Sequence, residues 1–156
     1  MDNLLEKAAL TYLPGVTRLN LYGVNGAITT TDETLWEEST LYSFRTAGAS
    51  MTVSSSSAND ASAGTGARTV VVTGVTSSYV SVSETATLNG TTGVALSNTY
   101  LTITGIEVAT AGSGGSNAGI LYVGTGSLTA GKPATVDGLV AAGNNRSSSL
   151  IYCTPA

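Results

Sequence analysis

The side chains able to do chemistry are few, and their types exclude most of it. The chain has no histidine and one cysteine, Cys153. Without histidine, the Ser-His-Asp and Cys-His forms of nucleophilic catalysis are ruled out, as are histidine metal sites. A single cysteine supplies neither a structural zinc centre nor an intrachain disulfide. Glycoside hydrolysis needs two carboxylates facing each other across a cleft. Asp60, Glu84, Glu107 and Asp137 are the acids of the β-rich part, and no two stand at a spacing that argues for such a pair. The least unfavourable catalytic residue for that chemistry is Glu84.

Two glycine-rich segments imitate ligand loops. Gly126 to Pro133 reads GSLTAGKP, close to the phosphate-loop pattern G-x-x-x-x-G-K-[ST]. Pro133 stands where a hydroxyl would hold magnesium, and proline has no N–H to aim at phosphate. The segment AGSGGSNAG, Ala111 to Gly119, resembles calcium-binding glycine turns but contains no carboxylate, which hard cations require. Asn59-Asp60 offers one carboxylate among hydroxyls. It reads as an Asx-type turn closing its loop, with a weak calcium site as the alternative. No cofactor is expected. Seven tyrosines and Trp36 could stack on a sugar, with Tyr79 and Tyr100 the residues to test, but they are scattered. Core or interface positions suit them better.

These residues must be positioned by sheet. Ser, Thr and Gly make up about two-fifths of the 156 residues, and only 10% are charged. Low charge with abundant Val, Ile, Thr and Tyr argues for β structure. The net charge is −4 and the six Lys and Arg are scattered, which disfavours nucleic acid and anionic membrane surfaces. No apolar run approaches a membrane span, and MDNLLEKAAL lacks the features of a signal peptide. Assembly in a cytoplasm is the expectation.

Residues 1–16 read as a short helix or arm, with Leu4, Leu5, Ala8, Ala9 and Tyr12 near helical spacing and Pro14-Gly15 as the stop. Residues 17–156 read as a single β-rich domain. Thr17 to Tyr22 alternates like a strand. Thr30 with Glu33 has capping-box spacing, and Asp32, Glu33, Glu37 and Glu38 form the dense charge patch. Met51 and Val53 begin the β pattern, and Ser54 to Ala67 is a loop. Thr69 to Val75 is a strand, and Tyr79 to Leu88 is another.

Glu84 falls on the apolar face of Tyr79 to Leu88. A bulge or a strand edge is favoured over a buried, partnered acid. Asn89-Gly90 is a strong hairpin signal. Thr99 to Thr110 is read as one strand whose phase slips at Gly105. AGSGGSNAG is a flexible turn, and Ile120 to Val123 is a strand covered on both faces. ATVDGLVAA could be a strand pair or a short helix. Ser149 to Cys153 is a final strand. Turn signals at this spacing predict an antiparallel β-sandwich or jelly-roll-like domain.

The segment SSANDASAGTGARTV, followed by ETATLNGT and AGSGGSNAG, covers Ser56 to Gly119. It resembles a family of virion structural proteins of tailed bacteriophages. The resemblance implies a non-enzymatic component of the virion, with a capsid decoration (cement) protein foremost. Its partners would be the major capsid protein and itself, as a homotrimer. A tail or adaptor component is the alternative within that class, and a carbohydrate-binding adhesin domain lies outside it. The resemblance also implies more β structure after LIYCTPA. The residues outside the signature are then the ones to carry attachment: Leu4, Leu5 and Tyr12 in the arm, and Trp36 and Tyr42 in the Leu35–Tyr42 region.

Overall fold

A computed structural model describes residues 42–148 together with Trp36 and Glu38. The expected arm at 1–16 with Leu4, Leu5 and Tyr12, the strand at 17–22, the capping box and the final strand at 149–153 lie outside the described residues. Among the described residues seven strands form: β1 (Ala49–Ser55), β2 (Ala67–Val75), β3 (Ser81–Thr87), β4 (Val94–Tyr100), β5 (Thr102–Ala111), β6 (Leu121–Thr129) and β7 (Lys132–Val140). All neighbouring strands are antiparallel. One sheet has the order β4-β1-β6-β7 and the other β3-β2-β5. The fold is mainly β, an antiparallel sandwich.

Period-two alternation builds it. In β2, Val70 and Val72 are fully buried while Val71 and Thr73 point out. They meet Met51, Val53, Leu121, Val123 and Val140 from the facing sheet, with Ile103 and Ile106 from β5. Contacts between the sheets gather along two seams, β3 with β4 and β5 with β7.

The phase slip near Gly105 is present. Thr73 opposes Gly105 and Gly74 opposes Ile103, so Thr104 is the extra residue, and Ile103 and Ile106 both face the core. Residues 99–110, however, are not one strand. The chain leaves the first sheet after Tyr100 and enters the second at Thr102. Asn89-Gly90 does make a turn, with Thr92 N–H donating to Asn89 O at 3.1 Å and Gly90 at φ +60°. It is not the hairpin expected, because β3 and β4 belong to different sheets. The reason is tertiary. Gly90 N–H donates to Asp60 O at 2.7 Å and Ser55 N–H to Gly90 O at 2.9 Å, so the turn is tied to the end of β1 and passes the chain across.

The segment ATVDGLVAA is neither a strand pair nor a helix; its body lies in β7, paired with β6. Ala130 (φ 48°) and Gly131 (φ 83°) form the two-residue turn between them, the left-handed pair of a type I′ hairpin. This hairpin doubles back. The β6–β7 register breaks between Thr125 and Leu128, with Gly126 at φ +88°. Leu128 then packs against Gly93 and the tip lies on Ser55, where Ser54 Oγ donates to Gly131 O at 2.7 Å. Ser54 and Tyr122, whose alternation points them away from the core, are buried even so. Of the expected strand Ile120 to Val123, Leu121 to Val123 lie in β6 and are buried on both faces, while Ile120 stands just before the strand and is half-buried.

Ile106 is 1% exposed between the two sheets. Ile106→Ala should lower stability by about 2–5 kcal/mol. Urea denaturation should show a lower midpoint with an unchanged slope.

Candidate functional site

The signature residues meet at one buried carboxylate. Asp60 has no exposure. Its Oδ1 accepts from Ala67 N–H at 2.7 Å and Ala118 N–H at 2.8 Å. Its Oδ2 accepts from Ser55 Oγ–H at 2.6 Å and Gly119 N–H at 2.8 Å. Four donors fill the roughly four lone-pair positions of a carboxylate. The result is more than an Asx turn. One side chain joins the end of β1, the start of β2 and the 112–120 loop, and its backbone carbonyl holds Gly90. A calcium ion would have to displace these donors, so the oxygens are spent on structure. A Cβ at Gly66 would collide with Asp60 Oδ1, which explains glycine there.

AGSGGSNAG is correspondingly not a loose turn. Gly112 and Gly114 N–H donate to Gly66 O and Thr65 O, each at 2.7 Å. Asn117 is 1% exposed and exchanges hydrogen bonds with Asn145: Asn117 N–H to Asn145 Oδ1 at 3.1 Å, and Asn145 N–H to Asn117 Oδ1 at 2.9 Å. Asn117 Nδ2 also reaches Ala141 O at 2.9 Å, so the loop is fixed to the end of β7. Reading the segment by its glycines alone overlooked Asn117, the residue that fixes it.

Of the two favoured explanations for the phase of Glu84, the strand edge holds among the described residues and the bulge in its own strand does not. β3 pairs with β2 in unbroken register, so no bulge turns Glu84 outward. It sits on the inner face of an edge strand and takes partners across the seam. Ser97 N–H donates to Oε2 at 2.7 Å, and Asn98 N–H to Oε1 at 2.9 Å. Asn98 Nδ2–H and Tyr100 Oη–H reach Oε1 at 3.1 and 2.7 Å. The bulge lies in β4 instead. Ser50 opposes Thr99 and Thr52 opposes Ala95, leaving Leu96 to Asn98 opposite Met51. Partial burial pushes the Glu84 carboxyl up, but the bonds from Asn98, Tyr100 and Ser97 outweigh it, and it lies below the usual glutamate value. Burial, then the bond to Glu84, pushes the Tyr100 phenol well above its ordinary range. Tyr100 is fully buried, so it cannot stack on a glycan.

The remaining acids are also committed. Asp137, 1% exposed, receives the Arg45 guanidinium on both oxygens, with Nη2 to Oδ2 at 2.7 Å. That bond holds the Arg45 guanidinium above its ordinary value, against the opposing effect of burial. Glu107 pairs with Arg146 at 2.7 Å on the surface. Among the described residues no acidic or cysteine cluster has metal-binding form. The GSLTAGKP segment is the β6–β7 hairpin tip, and its Lys132 pairs with Glu38 at 2.6 Å. Among the described residues no helix is long and apolar enough to cross a membrane.

Two of the expected partner-binding residues come together. The Trp36 and Tyr42 rings meet edge-to-face with centroids 5.1 Å apart, and Tyr42 meets Phe44 at 4.9 Å in the same way. Tyr42 Oη lies 3.2 Å from Thr102 Oγ1, which fixes the ladder to the start of β5. Phe44 stands 66% exposed at its end. Sequence reading missed Phe44, although its i+2 spacing from Tyr42 puts both on one face of an extended segment. A groove of about 390 Å³ runs beside Phe44 along residues 43–49. Its one cation, Arg45, is already taken by Asp137 and Thr125.

Asp60→Ala should cost more than about 3 kcal/mol, since it leaves buried N–H donors bare. Phe44→Ser should cost less than about 1 kcal/mol. Equal losses in chemical denaturation would contradict the contrast between a structural hub and a surface ladder. Because Glu84 titrates lower when folded than unfolded, its stabilisation is complete above the ordinary glutamate value. It is lost as pH falls through the lowered one. Melting temperatures of Glu84→Gln and wild type should therefore converge as pH drops through that window. No protein-family model matches the chain, and no curated protein or solved structure matches it.

Proposed function

We propose that the protein is a non-enzymatic virion structural protein of a tailed bacteriophage, a capsid decoration (cement) protein that bridges and stabilises major capsid protein subunits. One observation carries the non-catalytic part. Asp60, Glu84, Glu107 and Asp137 are each engaged by their own donors, and two of them are fully buried. The resemblance of residues 56–119 supports the virion part. Those residues close on Asp60 and build a rigid body instead of a cleft.

The mechanism is geometric. A homotrimer on the capsid surface would span neighbouring capsid subunits, and several weak contacts would act together through effective concentration. The docking groups are Leu4, Leu5 and Tyr12 of the arm with the Trp36, Tyr42 and Phe44 ladder. Exposed aromatic side chains supply much contact area for little conformational entropy. Tail or adaptor placement is the rival within the class. A glycan-binding role is weakened by the burial of Tyr100, although Tyr79 is 42% exposed.

Stoichiometry in intact particles separates head from tail. A decoration protein should appear in numbers that scale with the capsid subunits, whereas a small fixed number of copies would place it in the tail. Deleting residues 1–13 should abolish co-sedimentation with capsids and leave the β body folded by circular dichroism. Capsid binding retained by that deletion would remove the arm from the mechanism. Light scattering of the purified protein should show an oligomer, and a monomer at micromolar concentration would count against a preassembled trimer.

A further inference from the structure

The seam between β3 and β4 joins two edge strands, one from each sheet. An edge strand offers N–H and C=O groups to any strand that can lie beside it, including one from a second copy. The opposite seam is covered along part of β5. There Val108 N–H donates to Asn145 O at 2.8 Å and Ser147 N–H to Ile106 O at 2.9 Å. Ile106 N–H donates to Ser147 Oγ at 2.9 Å.

At the β3–β4 seam a side chain takes the place of a strand. The β4 bulge presents two consecutive N–H groups, Ser97 and Asn98, and both donate to the Glu84 carboxylate. Consecutive backbone N–H groups of this kind form a small concave site for an anion. Glu84 is placed on the inner face of β3, in phase with Val82 and Ala86, where an apolar residue would serve the core better. An apolar residue would leave the two N–H groups without a protein acceptor. Inward-pointing charges and bulges are both devices that discourage strand addition. Here each is fitted to the other. All four donors to Glu84 are neutral, so the arrangement is a hydrogen-bonded plug and not an ion pair.

We infer that Glu84 is an edge guard: its carboxylate occupies the β4 bulge and blocks a second copy of this chain from adding a strand to the four-stranded sheet at β4. The inference is independent of the virion reading, since it concerns what the isolated protein does to itself. It also argues against backbone pairing at β4 as the contact of a native oligomer.

The test is sedimentation velocity across a concentration series, with folding checked by circular dichroism. Glu84→Ala should associate beyond the wild-type state, with onset at a concentration at least about tenfold lower. Glu84→Gln keeps one acceptor oxygen and should fall between the two. Adding Ser97→Pro to either variant removes an edge N–H and bars a ladder at the bulge, where proline is tolerated. The double variants should return to the wild-type state. Tyr100→Phe removes one donor but leaves the plug in place, so it should behave as wild type. Wild-type sedimentation of both Glu84 variants would overturn the inference. So would association that Ser97→Pro does not reverse, or equal association by Tyr100→Phe. If Glu84→Ala does not fold, Glu84→Gln with and without Ser97→Pro gives the same reading.

Discussion

Everything at one end of the sandwich depends on a single saturated carboxylate. Asp60 is buried without a cationic partner, which is tolerable only because four donors surround it at 2.6–2.8 Å. Three of those donors are backbone N–H groups that no strand pairs, at Ala67, Ala118 and Gly119. Satisfying them in any other way would need ordered water or a different chain path. The glycines follow from this constraint. Backbone can approach Asp60 this closely at Gly66, and Gly112 this closely at Gly64, only where no Cβ intervenes. The signature is therefore a packing specification, with one acid and the small residues that let three segments reach it.

That constraint explains which parts of the fold were legible in the sequence. Period-two alternation is local, so β1, β2 and β3 could be placed to within a few residues, and the slip beside Gly105 could be seen as a change of phase between Ile103 and Ile106. Sheet membership is not local. Asn89-Gly90 has the chemistry of a hairpin turn, yet Gly90 is bonded to Asp60 and Ser55, and those distant partners send β4 to the other sheet. The same limit applies to Glu84. Its inward phase was readable, but its partners lie 13 to 16 residues further on, at a bulge whose register is set by β1. Of the candidate docking residues, Trp36 and Tyr42 could be proposed from residue type alone. Phe44 could have been added from its i+2 spacing to Tyr42. The edge-to-face contact of Trp36 with Tyr42 needed the structure, because it joins residues six apart in a segment with no regular element among its described residues.

The imitation of a phosphate loop has the same root. A phosphate loop and a doubled-back hairpin both need backbone without side chains at a tight approach, and glycine is the common answer. In GSLTAGKP, Gly126 supplies the bend, Gly131 supplies a left-handed turn against Ser55, and Lys132 turns to Glu38. Pro133, the residue that spoiled the nucleotide pattern, is buried where β7 begins, opposite Leu128. Motif letters record the local geometry; only the neighbours show whether a ligand or another part of the chain fills it.

A body built this way separates two tasks. Chemistry-bearing groups are turned inward or paired, so the interior is fixed by hydrogen bonds that would be costly to break. Aromatic side chains gather in the segment before β1, where the ladder from Trp36 to Phe44 is anchored through Tyr42 to β5 and, next to it, through Arg45 to Asp137. Anchoring matters for binding because a side chain already held in place loses little freedom when a partner arrives. On the proposed function, a ladder fixed at its base and open at Phe44 would suit repeated, individually weak attachment better than the same rings on an untethered segment. On that same proposal, the guarded β4 edge would complement it by keeping backbone pairing out of competition with contacts made by these side chains.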